Sequence, residues 1–161
     1  MIAVHLLRHA HAGDPERWTE DDNLRPLSEK GRRQAERLGR LLAGHDEAPD
    51  LFITSPRVRA AQTAELVADA VGAPVIVDRR LAAPFDIAVL EDVLQAHADA
   101  ERPCLVGHDP DFSELLGDLL GVAMVPMRKG AIARIDVPTR DLVPGRGVLR
   151  YLLPPDVVPG K

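Results

Sequence analysis

The chain of 161 residues is 45% hydrophobic and 28% charged, which excludes a disordered or fibrous protein and suits one globular core. Its net charge of −5 gives no overall attraction to nucleic acid or an anionic membrane, and no apolar run approaches membrane-span length. Cys104 is the single cysteine, so an intramolecular disulfide is excluded and a reducing cytoplasm is the expected setting.

Ile2-Ala3-Val4-His5-Leu6-Leu7 is a short apolar run with the length of one buried strand. It follows Met1 directly, unlike the pattern of a secretion leader. The run stops at Arg8-His9, and Gly13-Asp14-Pro15 follow as loop signals. The charge-rich stretch 17–25 reads as a solvated loop, with Arg25 towards the mouth of any pocket. Ser28, after Pro26, is expected to cap a helix whose apolar stripe is Ala35, Leu38, Leu41 and Leu42. Arg32, Arg33, Glu36, Arg37 and Arg40 take its solvent side.

Leu51-Phe52-Ile53-Thr54 reads as a second strand. Ser55-Pro56 is expected to open a helix with Pro56 at its first position, and Gly72 to stop that helix. Val75-Ile76-Val77 is a third strand, followed by irregular chain to Asp86. Ile87, Leu90 and Leu94 mark a third helix, expected to run to near Arg102-Pro103. Residues 104–107 form a fourth strand in which Cys104 is an inert buried thiol. Asp109-Pro110 begins a helix with Phe112, Leu115, Leu116 and Leu119 on one face, and 131–137 and 148–153 look like a closing pair of strands. The Pro-rich stretch 154–161 is expected to be a loose tail on a single domain, 1–153. Alternating strands and helices imply a three-layer α/β sandwich around a mostly parallel sheet.

Three strand ends share a chemistry. The first strand ends at Arg8-His9, the second at Ser55-Pro56-Arg57-Val58-Arg59, and the fourth at Gly107-His108. Parallel strands point their carboxyl ends to one edge, where ligands bind in open α/β sheets. A buried arginine is costly unless an anion pairs with it. Guanidinium forks match phosphate oxygens, and an imidazole among them is a competent nucleophile for phosphorus. Alternatives are an ordinary salt-bridged arginine, or a metal-binding pair His9 and His11 helped by Asp14 as in amidohydrolase barrels, which need roughly 200 or more residues. His11 otherwise reads as a pocket-rim residue, and His5, His45 and His97 as structural.

Leu7-Arg8-His9-Ala10 resembles the Arg-His-Gly signature of the histidine phosphatase superfamily, and residues 55–63 resemble its Ser-Pro-x-x-Arg-Ala-x-Gln-Thr box. Val106-Gly107-His108 resembles its second catalytic histidine, while Arg25-Pro26-Leu27-Ser28 followed by Gly31 is similar to the SixA-type phosphohistidine phosphatases. The resemblance implies a phosphoglycerate mutase-like fold, with His9 as phosphoryl acceptor and Arg8, Arg59 and His108 on the phosphoryl oxygens. Arg57 falls on a variable position of that box and is peripheral, while Arg25 and Ser55 are expected as further substrate-binding residues. Arg8, Arg59 and the helix N-terminus after Ser55 supply the charge that a metal ion provides elsewhere, so neither metal nor cofactor is expected. The implied substrate is phosphohistidine on a protein, such as a phosphorelay phosphotransfer domain. A small phosphorylated metabolite, or a phosphoprotein-binding module without turnover, is the alternative; no nucleic acid or membrane is implied.

Two features depart from the family pattern. Ala10 stands in place of the glycine, which a small residue tolerates unless the backbone needs positive φ. Larger members supply a carboxylic general acid after the third strand, whereas here no carboxylate occurs between Arg79 and Phe85, and Asp86 is the first.

Overall fold

In the computed structural model, which describes residues 1–160, the apolar N-terminal run is strand β1 (Ile2–Arg8), with every side chain before Arg8 buried. It is followed by α1 (Glu29–Ala43), β2 (Leu51–Thr54), α2 (Val58–Val71), β3 (Val75–Val77) and α3 (Ile87–Ala96). Strand β4 (Pro103–Gly107), α4 (Asp111–Leu120), β5 (Ile132–Val137) and β6 (Val148–Leu153) complete the order. The sheet runs β3-β2-β4-β1-β5-β6. Its first four strands are mutually parallel, while β5 is antiparallel to β1 and β6 antiparallel to β5.

Two cores lie on opposite faces of this sheet. Strand side chains alternate between faces with a period of two, so Val4 and Leu6 of β1 join one core and Leu7 joins the other. The first core takes Leu90 and Leu94 of α3 and Phe112, Leu115 and Leu119 of α4. The second takes Ala35, Leu38 and Leu42 of α1 and Ala60, Ala64 and Val67 of α2. Full burial of one such leucine contributes about 1.5–3 kcal/mol. The chain steps outward to β3 through α1 and α2, then back through α3 and α4, and a constant crossover handedness puts those pairs on opposite faces.

Local signals set most boundaries. Ser28 caps α1 by accepting from the Gly31 amide, and Gly72 ends α2 in the left-handed conformation at φ 83°. Three expectations need correction. Pro56 does not open α2: the Ser55 hydroxyl accepts from the Arg57 amide, Arg57 stays extended as the N-cap, and the helix starts at Val58. Helix α3 ends at Ala96 rather than near Arg102, because the Arg140 guanidinium takes the carbonyls of Leu94, Ala98 and Ala100. The stretch after Leu153 is not loose as far as it is described. Val158 is 7% exposed within the α1–α2 core, and Pro155 lies against Gly130.

Candidate active site

Strands β2, β4 and β1 are consecutive in the sheet, so the three chemically unusual strand ends stand side by side. Arg8 is in register with Gly107, and Thr54 with Val106. The His9 amide donates to the Gly107 carbonyl at 3.0 Å and the Ser55 amide to the Val106 carbonyl at 3.0 Å. The ladder therefore extends one residue past each strand and holds the backbones of His9 and Ser55 rigidly at its edge.

His9 is 6% exposed, and its Nδ1 lies 2.8 Å from the Ala10 carbonyl. A carbonyl only accepts, so Nδ1 carries the proton and Nε2 keeps the lone pair. The His9 and His108 rings lie 5.3 Å apart between centroids. Burial, reinforced by Arg59, Arg8 and Lys129, lowers the His9 pKa to about 4. Burial, then neighbouring His9, Arg57 and Arg59, lowers that of His108 to about 3. Both rings are neutral near pH 7, and a neutral imidazole is the nucleophilic form.

The guanidiniums are anchored to backbone. Arg8 donates to the Met127 carbonyl at 2.8 Å and lies 3.5 Å from Asp109, whose carboxylate also accepts from the Ser113 amide and hydroxyl. Arg59, 4% exposed, donates to the Asp22 carbonyl at 2.7 Å and to its carboxylate at 3.1 Å. Among the described residues, four of the five buried side-chain polar atoms without a partner gather here: Arg8 Nε, Arg57 Nε, Arg59 Nε and His108 Nδ1. Each such group costs about 1–3 kcal/mol, and their concentration at one place is the mark of a functional site rather than of a folding core.

Ser55 and Arg25, expected as further substrate-binding residues, have protein partners here, as Arg8 and Arg59 do. Ser55 is fully buried, with its hydroxyl 2.7 Å from His108 Nε2, so it positions that ring. Arg25 is buried and ties the loop 13–28 together through Asp22 at 2.9 Å and the Ala12 carbonyl at 2.7 Å. Asp22 is one of the residues that sequence reasoning missed. Hydrogen bonds from Arg25, and then the nearby Arg59 charge, hold its carboxyl below the usual range. Its one signal was that the arginines need a countercharge. Lys129 was missed as well; it is half-buried, and burial followed by repulsion from Arg8, Arg25 and Arg59 lowers its pKa. Asp86 caps α3 through the Val89 amide at 3.0 Å.

The loop after His9 is gripped by α1. Ala10 is fully buried, its amide donates to Thr63 Oγ1, and no non-glycine residue among those described has positive φ, so alanine fits where the family has glycine. His11 takes Ser28 Oγ at 2.6 Å with its ring and Gln34 Oε1 at 3.0 Å with its amide. No group of three or more His, Cys, Asp or Glu side chains is gathered for a metal among the described residues. A Cβ at Gly31 would overlap the His11 carbonyl. Gly31→Ala is therefore expected to cost about 1–3 kcal/mol of stability by overpacking. It should also shift the His9 loop enough to lower kcat by up to about 10²-fold. Chemical denaturation and steady-state kinetics on the purified variant check both.

The family model described as histidine phosphatase superfamily (branch 1) matches residues 4–103. Probable phosphoglycerate mutase GpmB of Cronobacter sakazakii is 31% identical over 159 residues, which cover 92% of this chain and 71% of that protein. The GpmB of Klebsiella pneumoniae is 30% identical at the same coverage. Among solved structures, the protein histidine phosphatase SixA complexed with tungstate matches with a TM-score of 0.81 and 25% identity, over 96% of this chain and 98% of that one. A mycobacterial glucosyl-3-phosphoglycerate phosphatase shares the fold with a TM-score of 0.74 and 19% identity, over 96% and 100%.

Proposed function

The chain belongs to the histidine phosphatase superfamily (branch 1), and from that premise we propose that it removes phosphate from phosphohistidine on a protein, through a phosphohistidine of its own at His9. His9 Nε2 attacks phosphorus in line as the bond from phosphorus to the substrate ring nitrogen breaks. The guanidiniums of Arg8 and Arg59 and the His108 ring neutralise the equatorial oxygens, the main demand of phosphoryl transfer. An arriving phosphate dianion raises the His108 pKa and so favours a proton donated from that ring. Water then attacks the phosphoenzyme, releases inorganic phosphate and restores neutral His9. The positive charge comes from the chain's own arginines, so the step needs no cofactor.

The observation that supports this substrate is where the nearby carboxylates are spent. Asp86 caps a helix, Asp109 serves Ser113 and Arg8, and Asp22 is bound by two arginines. An alcohol leaving group needs a proton, and general-acid help is typically worth ~10²–10⁴ in rate. A histidine leaving group, with a pKa of about 6.5, departs neutral from its protonated ring and needs far less. The SixA likeness favours the same reading. Cys104, the single cysteine, is free and buried, and we propose a reducing cytoplasm as the setting. A small phosphate ester is the second reading, favoured by the GpmB relatives and by an Asp22 carboxylate that reaches solvent beside Arg59.

Rates on phosphohistidine, phosphoramidate and an alkyl phosphate distinguish the two. Wild type is expected to prefer the P–N substrates by about 10² or more, with little change in Asp22→Asn or Asp86→Asn. Efficient alkyl ester hydrolysis that collapses in either variant makes the protein a phosphomonoesterase.

A further inference from the structure

Beside the candidate active site runs a groove of about 560 Å³ that begins at Arg8 and His11. One wall is the solvent face of α1, where Lys30, Arg33, Gln34 and Arg37 follow one another at helical spacing. Two turns of helix spread those cations, from Lys30 to Arg37, over roughly 10 Å along α1. The other wall holds Arg128, Lys129 and Asp156. Six cations thus face one lining carboxylate, and that carboxylate sits 3.4 Å from Arg128. Arg33 has only a 4.0 Å contact with Glu29.

This distribution runs against the molecule as a whole, whose net charge is −5. The amphipathic pattern of α1 requires polar residues on this face but not one sign of charge. The fold gathers like charges here, and it gains little packing from Lys30, Arg33 and Arg128, which are exposed. A cleft lined by one sign of charge attracts the opposite sign and speeds its association.

We propose that this groove docks an acidic segment of the phosphoprotein substrate, several carboxylates leaving the pocket along α1 after the phosphorylated side chain. This inference rests on the protein-substrate reading above. A single second anion on a small molecule would need two or three cations converging at one point. Here they are strung over roughly 10 Å in the open, the reach of about three extended residues.

The test uses two pairs of chemically phosphorylated peptides, phosphohistidine or phosphotyrosine, each flanked by a run of glutamates or a run of serines. At low salt kcat/KM for the glutamate flank should exceed that for the serine flank by about tenfold or more. The ratio should fall towards one at about 0.5 M NaCl, where screening is strong. It should also fall towards one in Arg33→Glu/Arg37→Glu, and partly in Arg33→Ala/Arg37→Ala should the reversal perturb folding. Equal values for the two flanks in wild type, or a ratio that survives both double variants, would overturn the proposal. So would flank-independent rates joined to a loss on a small bisphosphate ester in the same variants, which would assign the groove to a metabolite. Turnover of the phosphotyrosine pair alone would sink the phosphohistidine reading while still judging the groove. Should neither linkage be cleaved, anisotropy binding of the same labelled peptides makes the same comparison.

Discussion

Replacing His9 by alanine is expected to abolish turnover, with a loss on the order of 10⁶, the size seen when a protease loses its nucleophile. In the proposed mechanism the imidazole lone pair at Nε2 forms the new bond to phosphorus, and His9 is the group placed to do so. His108, its neighbour at 5.3 Å, has its Nε2 engaged by Ser55. The fold should survive, because His9 makes one side-chain hydrogen bond, to the Ala10 carbonyl, worth about 1 kcal/mol. Wild type quenched during turnover should carry acid-labile, alkali-stable phosphate, and His9→Ala should carry none. The ring pKa of about 4 adds a direction. Lowering the pH from 7 to 5 should leave free His9 neutral, whereas an ordinary histidine at about 6.5 would be mostly protonated at pH 5. Ring titration followed by NMR checks this. Normal turnover in His9→Ala would remove the mechanism altogether.

Arg59→Ala and His108→Ala should each slow turnover by ~10²–10³, equivalent to about 2.7–4 kcal/mol, as for loss of one oxyanion donor. Arg59 carries the larger expected effect of the two. Its removal deletes a guanidinium and also leaves the Asp22 carboxylate with Arg25 as its remaining cation. A carboxylate so freed repels the incoming phosphate dianion. Arg59→Lys should recover only part of the loss, because an ammonium cannot reproduce the planar fork that holds Asp22 through both its carbonyl and its carboxylate. Removing His108 takes away the partner of the Ser55 hydroxyl without creating a charge. Near-normal rates in both variants would mean that the groups gathered at the three strand ends do not act on one phosphoryl group.

What could be read along the chain was whatever short-range physics controls. Strand β1 follows from an apolar run, the start of α1 from a serine hydroxyl three residues ahead of an amide, and the end of α2 from a glycine free to take positive φ. The placing of Arg8, His9, Ser55, Arg59 and His108 at strand ends was legible for the same reason. Parallel strands share an edge whatever their order, so residues far apart in sequence can be assigned to one edge without coordinates.

Only the tertiary structure decided which of those ends touch. The insertion of β4 between β1 and β2 brings the His108 ring beside His9, and nothing local encodes that order. Asp22 lies in a loop without periodicity and meets Arg59 37 positions away, so its role depends on how the loop 13–28 folds back over α2. The end of α3 is set by Arg140, more than 40 positions from the carbonyls of Leu94 and Ala98. Val158 is buried because an apolar side chain follows the prolines and finds the α1–α2 core within reach. The cationic face of α1 was visible as a helical stripe. That Arg128 and Lys129 stand opposite it was not, because a groove needs two walls and only the packed chain supplies the second.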